Sequence, residues 1–401
     1  MKNSEVRITR WPYLVAGVFM MLLSGIIYAW SILKAPLASE YGWNDAELGL
    51  NFTITMCGFC IGGVLGGIIT KKISPQITAI FASVLAFIGF FGSSQLTGMI
   101  VSLYIFYGAF AGIGMGIIYN VVIASVTKWF PDKRATVSGA LLMSVGASTL
   151  ILGPIMDQLM SNIGWRNAFF ILGIVIVVVM VIGSFFLRSP CESINTLRSD
   201  PNKKTSEIGE DHTVREMLSR SSFWKFYGVQ ILIAAIGIGV VSMARDVSIS
   251  VGSPETLAVF LVGLLSVSNG FGRILFGFLF DTIGRRKTML FSSSIAIIAC
   301  LVMLISVILG SITVIIIGLV FIGLAYGSMP PICSGLAGSF YGIKNFALNF
   351  SVMNTMLIPA SFVAPIIGVI LGSTGSYVPV FIMMFFFALG ALALNISLKK
   401  A

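Results

Sequence analysis

Long apolar runs separated by short polar stretches recur along the whole chain. About 20 apolar residues, wound as a helix, cross the ~30 Å hydrocarbon core of a membrane. By this criterion the pattern predicts an all-α membrane protein with twelve transmembrane helices. The predicted spans are residues 12–39, 44–70, 74–95, 99–127, 135–158, 166–187, 223–245, 257–280, 288–309, 312–335, 346–371 and 377–398.

A polar segment in the middle of the chain separates the spans into two groups of six. Residues 189–222 are rich in Lys, Glu, Asp, Ser and Thr, which predicts a linker with a short amphipathic helix near Val214–Arg220 and a solvated His212. The expected organisation is therefore an N-terminal six-helix half at 1–188, a cytoplasmic linker and a C-terminal six-helix half at 223–401.

The two halves repeat each other at a constant offset. Gly67 followed by Lys71 corresponds to Gly277 followed by Asp281, and the loop ending at Arg134 has a counterpart in the second half. Internal repeats of six spans are typical of secondary transporters, whose substrate site lies near the membrane midplane where the repeats meet.

The charge distribution reports topology. The chain is 57% hydrophobic and 10% charged, with a net charge of +10. All but four of the Lys and Arg residues fall in segments that share one side of the membrane; the exceptions are Lys34, Arg166, Arg245 and Arg273. This positive-inside pattern predicts a multi-pass protein of the cytoplasmic membrane with both termini in the cytoplasm. It favours contact with lipid head groups over nucleic acid.

The predicted eighth span carries a permanent cation in its interior. Arg273 is the only charged residue between Glu255 and Asp281. A charge near the bilayer midplane costs ~3 to more than 10 kcal/mol, so it normally faces a cavity or a partner. Its planar guanidinium fits a carboxylate bidentately. Arg273 is the leading candidate for an anion site, with Asn269 on the same helix face; the alternative is a structural cation held by helix carbonyls.

A loop after the eighth span resembles the signature of the major facilitator superfamily. It runs Gly277-Phe-Leu-Phe-Asp281-Thr-Ile-Gly-Arg285-Arg286, and in the first half Lys71 stands where an Asp is usual. The resemblance implies the major facilitator fold and a gate formed by Asp281, Arg285 and Arg286. Topogenic charge beside a tight turn is the alternative.

Further motifs are similar to those of the oxalate/formate antiporter family, which is related to the monocarboxylate transporters. They begin at Lys128-Trp-Phe-Pro-Asp, Asn269-Gly-Phe-Gly-Arg273 and Tyr28-Ala-Trp30. The resemblance implies transport of small organic carboxylates. Two positions depart from the pattern: Leu357 stands where the oxalate exchanger has a second central lysine, and Asn269 where animal-type relatives have an acid.

Three tyrosines fall within predicted spans and are candidate pocket residues. Tyr28, Tyr119 and Tyr326 lie in the first, fourth and tenth spans, where each phenol can donate to an anion. Tyrosines also serve as packing residues and interface anchors.

Five other polar or aromatic residues are weaker candidates. Trp30 and Asn120 are possible pocket residues, and Lys34 attracts anions at the outer mouth or simply snorkels to it. Arg245 and Asp246 form a charged pair at the outer end of the seventh span. The pair is a candidate external gate, and the alternative is a pair of solvated charges.

The function expected from these features is secondary transport of a small monocarboxylate such as formate, acetate, lactate or pyruvate. Exchange is favoured because no acid accompanies Arg273; proton symport, with Asp246 as a carrier, is the alternative. Oxalate/formate exchange and drug efflux rank lower. Paired acids, a nucleophile–base set and a metal cluster are missing from the pattern, so neither an enzyme nor a cofactor or metal is expected. A monomer is expected.

Overall fold

The twelve predicted spans are helices in the computed structural model, which describes residues 10–43, 45–188 and 210–398. Twelve helices there are long and apolar enough to cross a membrane. This confirms the predicted all-α fold. The helices are α1 Trp11–Tyr41, α2 Asp45–Ile69, α3 Pro75–Ser94, α4 Ile100–Trp129, α5 Arg134–Ile163, α6 Trp165–Ser184, α7 Ser221–Ser250, α8 Glu255–Ile283, α9 Arg285–Leu309, α10 Ile312–Tyr341, α11 Phe346–Thr374 and α12 Val378–Ser397.

Several helices continue past their predicted ends. α5 ends at Ile163 and α7 at Ser250, each five residues beyond its apolar run. Hydropathy detects only the part of a helix that lies in hydrocarbon, whereas the helix itself continues through polar residues until a glycine or turn ends it.

Several helices contain irregular segments. In α1, residues Gly25–Ala29 form a 3₁₀ turn, and in α4 residues Tyr104–Ala111 form a π-helical segment. α11 consists of the pieces Phe346–Asn354, Leu357–Ser361 and Val363–Thr374. A proline lacks an amide hydrogen and clashes with the carbonyl four residues before it. Pro359 therefore accounts for the break near Thr355.

Glycines allow neighbouring helices to approach closely. At Gly62 of α2 a Cβ would overlap the carbonyl oxygen of Ile113 in α4 and lie 2.9 Å from its Cα, and at Gly114 of α4 it would lie 2.7 Å from the Ala86 amide of α3. Close backbone packing through small residues is the usual way in which membrane helices associate.

The two six-helix halves pack against each other through α5 with α8 and α2 with α11. At Gly277 of α8 a Cβ would lie 3.0 Å from the carbonyl carbon of Ala135, and at Gly67 of α2 it would lie 2.9 Å from the amide of Leu348. Both contacts lie on the side of the bundle where α1 begins and α12 ends, called here the termini side.

The end of the linker also docks on the termini side. Residues Val214–Ser219 form a helix with a Thr213–Glu216 capping box, where a short helix was predicted. The prediction that His212 is solvated was wrong. His212 is 9% exposed, its amide donates to Tyr341, and its carbonyl accepts from Asn345 and Asn349. The backbone bonds that bury it are not visible in the polar character of the segment. Residues 189–209 lie outside the described chain, and the division at 188 and 222 stays a prediction.

The α2–α4 packing predicts opposite outcomes for two glycine substitutions in the same helix. Ala has a helix propensity ~1 kcal/mol better than Gly, so Gly49→Ala, where a Cβ meets open space, is expected to leave the melting temperature unchanged or higher. Gly62→Ala forces α2 away from α4, which typically costs ~1–3 kcal/mol, and is expected to lower it by several degrees. Thermal unfolding of the purified protein in detergent measures both. Equal melting temperatures would contradict the packing.

Candidate functional site

Arg273 lies where the two halves meet. It belongs to α8, and its guanidinium packs against α5, where a Cβ at Gly146 would lie 3.4 Å from Nη1 and 3.5 Å from Cζ. Gly139, two turns earlier in α5, packs against the Arg273 backbone. A Cβ at Gly139 would force α5 away from α8, whereas a Cβ at Gly146 would only touch the guanidinium, so the close approach of the helix pair depends on Gly139.

The Arg273 side chain is held at two of its nitrogens. Nε donates to Oδ1 of Asn269 at 3.1 Å, and Nη1 donates to the carbonyl of Leu142 in α5. Across the described residues, Nη2 makes no hydrogen bond and the guanidinium makes no ion pair. The interactions orient the cation and leave one edge of its fork for another acceptor. The predicted pairing of Asn269 with Arg273 is therefore present.

Tyr28 and Tyr326 lie beside Arg273 from opposite halves. The Tyr28 hydroxyl is within electrostatic range of both Tyr326 and Arg273. Tyr28 is 36% exposed although it sits deep in the bundle, so it faces open space between the halves. The 3₁₀ turn at Gly25–Ala29 positions Tyr28, and the Tyr326 ring lies over Gly237 of α7.

Tyr119 forms the wall on the α4 side. Its hydroxyl is in electrostatic range of Tyr28 and Arg273 and in hydrogen-bonding contact with Asn354 of α11. Its ring packs edge-on against Phe59, with centroids 4.9 Å apart. The structure thus brings Arg273, Asn269 and the three tyrosines into one cluster, called here the central cluster.

Three other candidates lie apart from the central cluster. Trp30 is 4% exposed, and its indole donates to the carbonyl of Leu48 at 2.9 Å, which joins α1 to α2. Asn120 is buried and donates to the carbonyl of Ala347 at 2.7 Å, which joins the halves on the termini side. Lys34 lies in α1 beyond Trp30 and is half-buried. Trp30 and Asn120 thus act as packing residues here.

Arg245 and Asp246 lie in α7 near its end opposite the termini side. Both are exposed, and the closest approach of Arg245 Nη1 to Asp246 Oδ1 is 3.9 Å. Asp246 is also in electrostatic range of Tyr377, between α11 and α12. Arg245, Asp246 and Tyr377 all belong to the C-terminal half, so these described contacts lie within one half.

Asp281 joins the halves at the termini side. Its carboxylate accepts from the amide of Ala135 at 3.3 Å and from the amide and hydroxyl of Thr136 at 2.7 Å each. These amides begin α5, whose own N-cap residue, Lys133, makes no side-chain cap. A carboxylate at a helix N-terminus satisfies free amides and complements the helix dipole. Asp281 of α8 therefore caps a helix of the other half.

The basic residues near this junction have different partners. Arg134 crosses to α11, where its guanidinium lies 4.3 Å from the Phe346 ring centroid. Arg285 lies 4.5 Å from the Phe340 ring centroid within its own half, and Arg286 is exposed. Arg10 pairs with Asp132 at 2.6 Å. Burial opposes ionisation of Asp132, but the bond and charge of Arg10 outweigh it and hold its pKa below the usual value.

The sequence model of the Major Facilitator Superfamily matches residues 13–251 and 240–400. The chain belongs to the Major Facilitator Superfamily.

Relatives within the superfamily include carboxylate transporters. The oxalate:formate antiporter of Oxalobacter formigenes is 26% identical over 70% of this chain and 65% of its own length. Monocarboxylate transporter 12 of Mus musculus is 25% identical over 67% of this chain and 60% of its own length. An uncharacterized MFS-type transporter of Escherichia coli (strain K12) is 22% identical over 88% of this chain and 86% of its own length. The chain thus spans less than two thirds of the length of the oxalate:formate antiporter and of monocarboxylate transporter 12.

Solved structures share the fold. A proton:xylose symporter superposes with a TM-score of 0.72 at 16% identity, covering 97% of this chain and 95% of that one. A fucose:proton symporter of E. coli superposes with a TM-score of 0.70 at 16% identity, covering 98% and 99%. At these identities the likeness establishes the major facilitator fold alone.

Sequence reasoning missed three residues that hold the facilitator's central cluster in place. The Leu142 carbonyl and Gly146 receive the Arg273 guanidinium, and Asn354 contacts Tyr119. A main-chain acceptor leaves no sequence signal. The spacing of Gly146 from Gly139 on one face of α5 is a pattern that indicates a close neighbour. Asn354 is a polar residue within an apolar span, which is a usable signal.

The cross-half cap predicts a local effect of removing one charge. Asp281→Asn is expected to speed hydrogen exchange of the Ala135 and Thr136 amides by ~5–30-fold, because losing a charged cap costs ~1–2 kcal/mol. Exchange measured by mass spectrometry gives the rates. The matched control, Asp246→Asn, removes the exposed partner of Arg245 and is expected to leave those amides unchanged. Unaltered exchange in Asp281→Asn would contradict the cap.

Proposed function

We propose that the protein is a secondary transporter of small organic monocarboxylates, with formate, acetate, lactate and pyruvate as the candidate class. The observation that carries the proposal is Arg273, which lies between the halves with an unoccupied Nη2 edge and no ion pair in the described chain. Carboxylate oxygens fit a guanidinium fork, and the hydroxyls of Tyr28 and Tyr326 supply further donors.

A single fixed cation favours a monoanion. Leu357 occupies the position where the resemblance would place a second central cation, and it lies at the start of a short helical piece of α11. Binding of a dianion would leave one charge without compensation in an apolar site, which is costly. Oxalate is therefore the weaker substrate candidate, although a relative is named for it.

Exchange follows from the energetics of the same arginine. A bound carboxylate neutralises Arg273, which lowers the cost of enclosing it when the halves rock around the site. The empty carrier must enclose a bare cation. Return with a second anion is therefore easier than return empty, and the gradient of either anion drives the cycle.

Proton symport is the alternative, and its candidate proton carrier is remote. Asp246 is exposed at the far end of α7, and the position next to Arg273 is the amide Asn269. Symport then relies on the substrate acid itself or on coupling over a distance. Efflux of amphipathic cations has less support, because the central cluster holds a cation and hydroxyl donors.

The proposed location is the cytoplasmic membrane with both termini in the cytoplasm. The basis is the distribution of Lys and Arg, which concentrates on the termini side. In this orientation, the halves are joined on the cytoplasmic side by Asp281, Asn120 and Arg134, while Tyr28 faces the space above them.

Counterflow in proteoliposomes tests the proposed function. Vesicles are loaded with one unlabelled acid, the proton gradient is collapsed with an ionophore, and uptake of the labelled acid is followed. Transient accumulation of a monocarboxylate is expected. Uptake that occurs only with an inward proton gradient would replace exchange by symport, and no uptake of any carboxylate would overturn the proposal.

Arg273→Lys is expected to impair exchange although the charge is kept. Lysine lacks the planar fork. Loss of one charge-assisted hydrogen bond of ~1.5–3 kcal/mol corresponds to a ~10–100-fold higher half-saturation concentration in counterflow. Arg215→Lys, on the exposed linker helix, is the matched control and is expected to match wild type. Unchanged affinity in Arg273→Lys would contradict the proposal that the Arg273 guanidinium anchors the carboxylate.

Removing single hydroxyls tests the tyrosines. Tyr28→Phe and Tyr326→Phe are each expected to raise the half-saturation concentration ~2–10-fold, since a hydrogen bond contributes ~0.5–1.5 kcal/mol. The control is Tyr107→Phe, because the buried Tyr107 hydroxyl has no hydrogen-bond partner among the described residues and the ring packs against Trp30 away from the cluster. Equal effects in all three variants would remove the tyrosines from the site.

A further inference from the structure

A second basic site lies on the termini side, away from the central cluster. A cavity of about 310 Å³ separates the α2–α3 loop of the N-terminal half from the beginning of α11 in the C-terminal half. Lys71, Lys72 and Lys128 line it from one half and Lys344 from the other. No carboxylate of the described chain forms an ion pair with these four lysines.

This cavity occupies the place where the repeat would put an acid. Gly277 packs on the start of α5 and is followed by Asp281, which caps that helix; Gly67 packs in the same way on the start of α11 and is followed by Lys71. The symmetry-related helix end thus meets a cation instead of a carboxylate. Asn345, the N-cap residue of α11, makes no side-chain cap.

Two further groups point to an anionic occupant. Ser125 lines the cavity and is 4% exposed, and its hydroxyl makes no hydrogen bond within the described chain. The amide of Ala347, in the first turn of α11, also has no partner there. The carboxylate of Asp211 in the linker accepts from the amides of Ile343 and Lys344. The cavity therefore offers hydrogen-bond donors and positive charge together.

We infer that this cavity binds a phosphate-type oxyanion, which performs for α11 the capping role that Asp281 performs for α5. A tetrahedral anion accepts from the Ala347 amide and the Ser125 hydroxyl while it neutralises lysines from both halves. Because Lys71 and Lys344 belong to different halves, the bound anion holds the termini side closed. One latch is therefore built into the chain, and its counterpart depends on an anion from the surroundings.

The anion has two possible sources, a lipid head group and soluble phosphate, and hydrogen exchange at the start of α11 distinguishes them. The first arm uses protein in neutral detergent with inorganic phosphate against chloride at equal ionic strength. The second uses nanodiscs of phosphatidylglycerol against phosphatidylcholine. Protection of the Ala347 amide is expected to rise at least ~5-fold with phosphate if the source is soluble, and only with phosphatidylglycerol if it is a lipid.

Variants separate site binding from general charge effects. Lys71→Asp restores an internal cap and is expected to protect the Ala347 amide without added anion and to abolish the response. Lys128→Gln tests the site without placing a new acid and is expected to weaken the response. Lys287→Asp makes the same change of charge as Lys71→Asp, but at an exposed position of α9, and is expected to respond like wild type. No protection in either arm, or an equal response in Lys71→Asp and Lys287→Asp, would overturn the inference.

Discussion

The need to keep the charge of Arg273 away from lipid organises the centre of the molecule. The arginine lies in an otherwise uncharged stretch of α8, and two features of α5, the carbonyl of Leu142 and the absent side chain of Gly146, receive it. Asn269 sets the angle of the fork. The same contacts that satisfy the cation also press the two halves together, so structure and the proposed chemistry depend on one side chain. An anion at the Nη2 edge binds directly beside a contact that joins the halves.

The termini side is joined by main-chain groups as much as by side chains. Asp281 binds amides of α5, and Asn120 binds a carbonyl of α11. Helix ends supply such groups in fixed positions, because the first amides and last carbonyls of a helix have no partner within it. Moving the halves apart therefore exposes several groups at once and gives the junction a switch-like character. The two repeats use this device unequally, since only the second carries the acid.

The fold was largely predictable, whereas the site was predictable only in part. Twelve apolar runs determine twelve helices, and the glycine–acid loop of the second half indicates the superfamily. Arg273 and the tyrosines stood out because polar groups in apolar spans are costly. Trp30 stays ambiguous in the sequence, because an indole gives the same signal whether it lines a pocket or, as here, donates to the carbonyl of Leu48. The docking of His212 depends on backbone bonds to a distant loop, which no local pattern encodes.

The segmented course of α11 affects how the protein can move. Its first piece, Phe346–Asn354, contacts α2 and α4 of the opposite half, while Val363–Thr374 contacts α7 and α12 of its own. One continuous chain segment is thus shared between two bodies that must separate. The break near Thr355 lies between the piece that contacts the opposite half and the piece that contacts its own half. At this break the hydroxyls of Tyr227 and Thr355 are 2.9 Å apart. In mechanical terms α11 has a joint near Thr355, so in the proposed transport cycle part of the movement can occur as bending within this helix, without rotation of the halves.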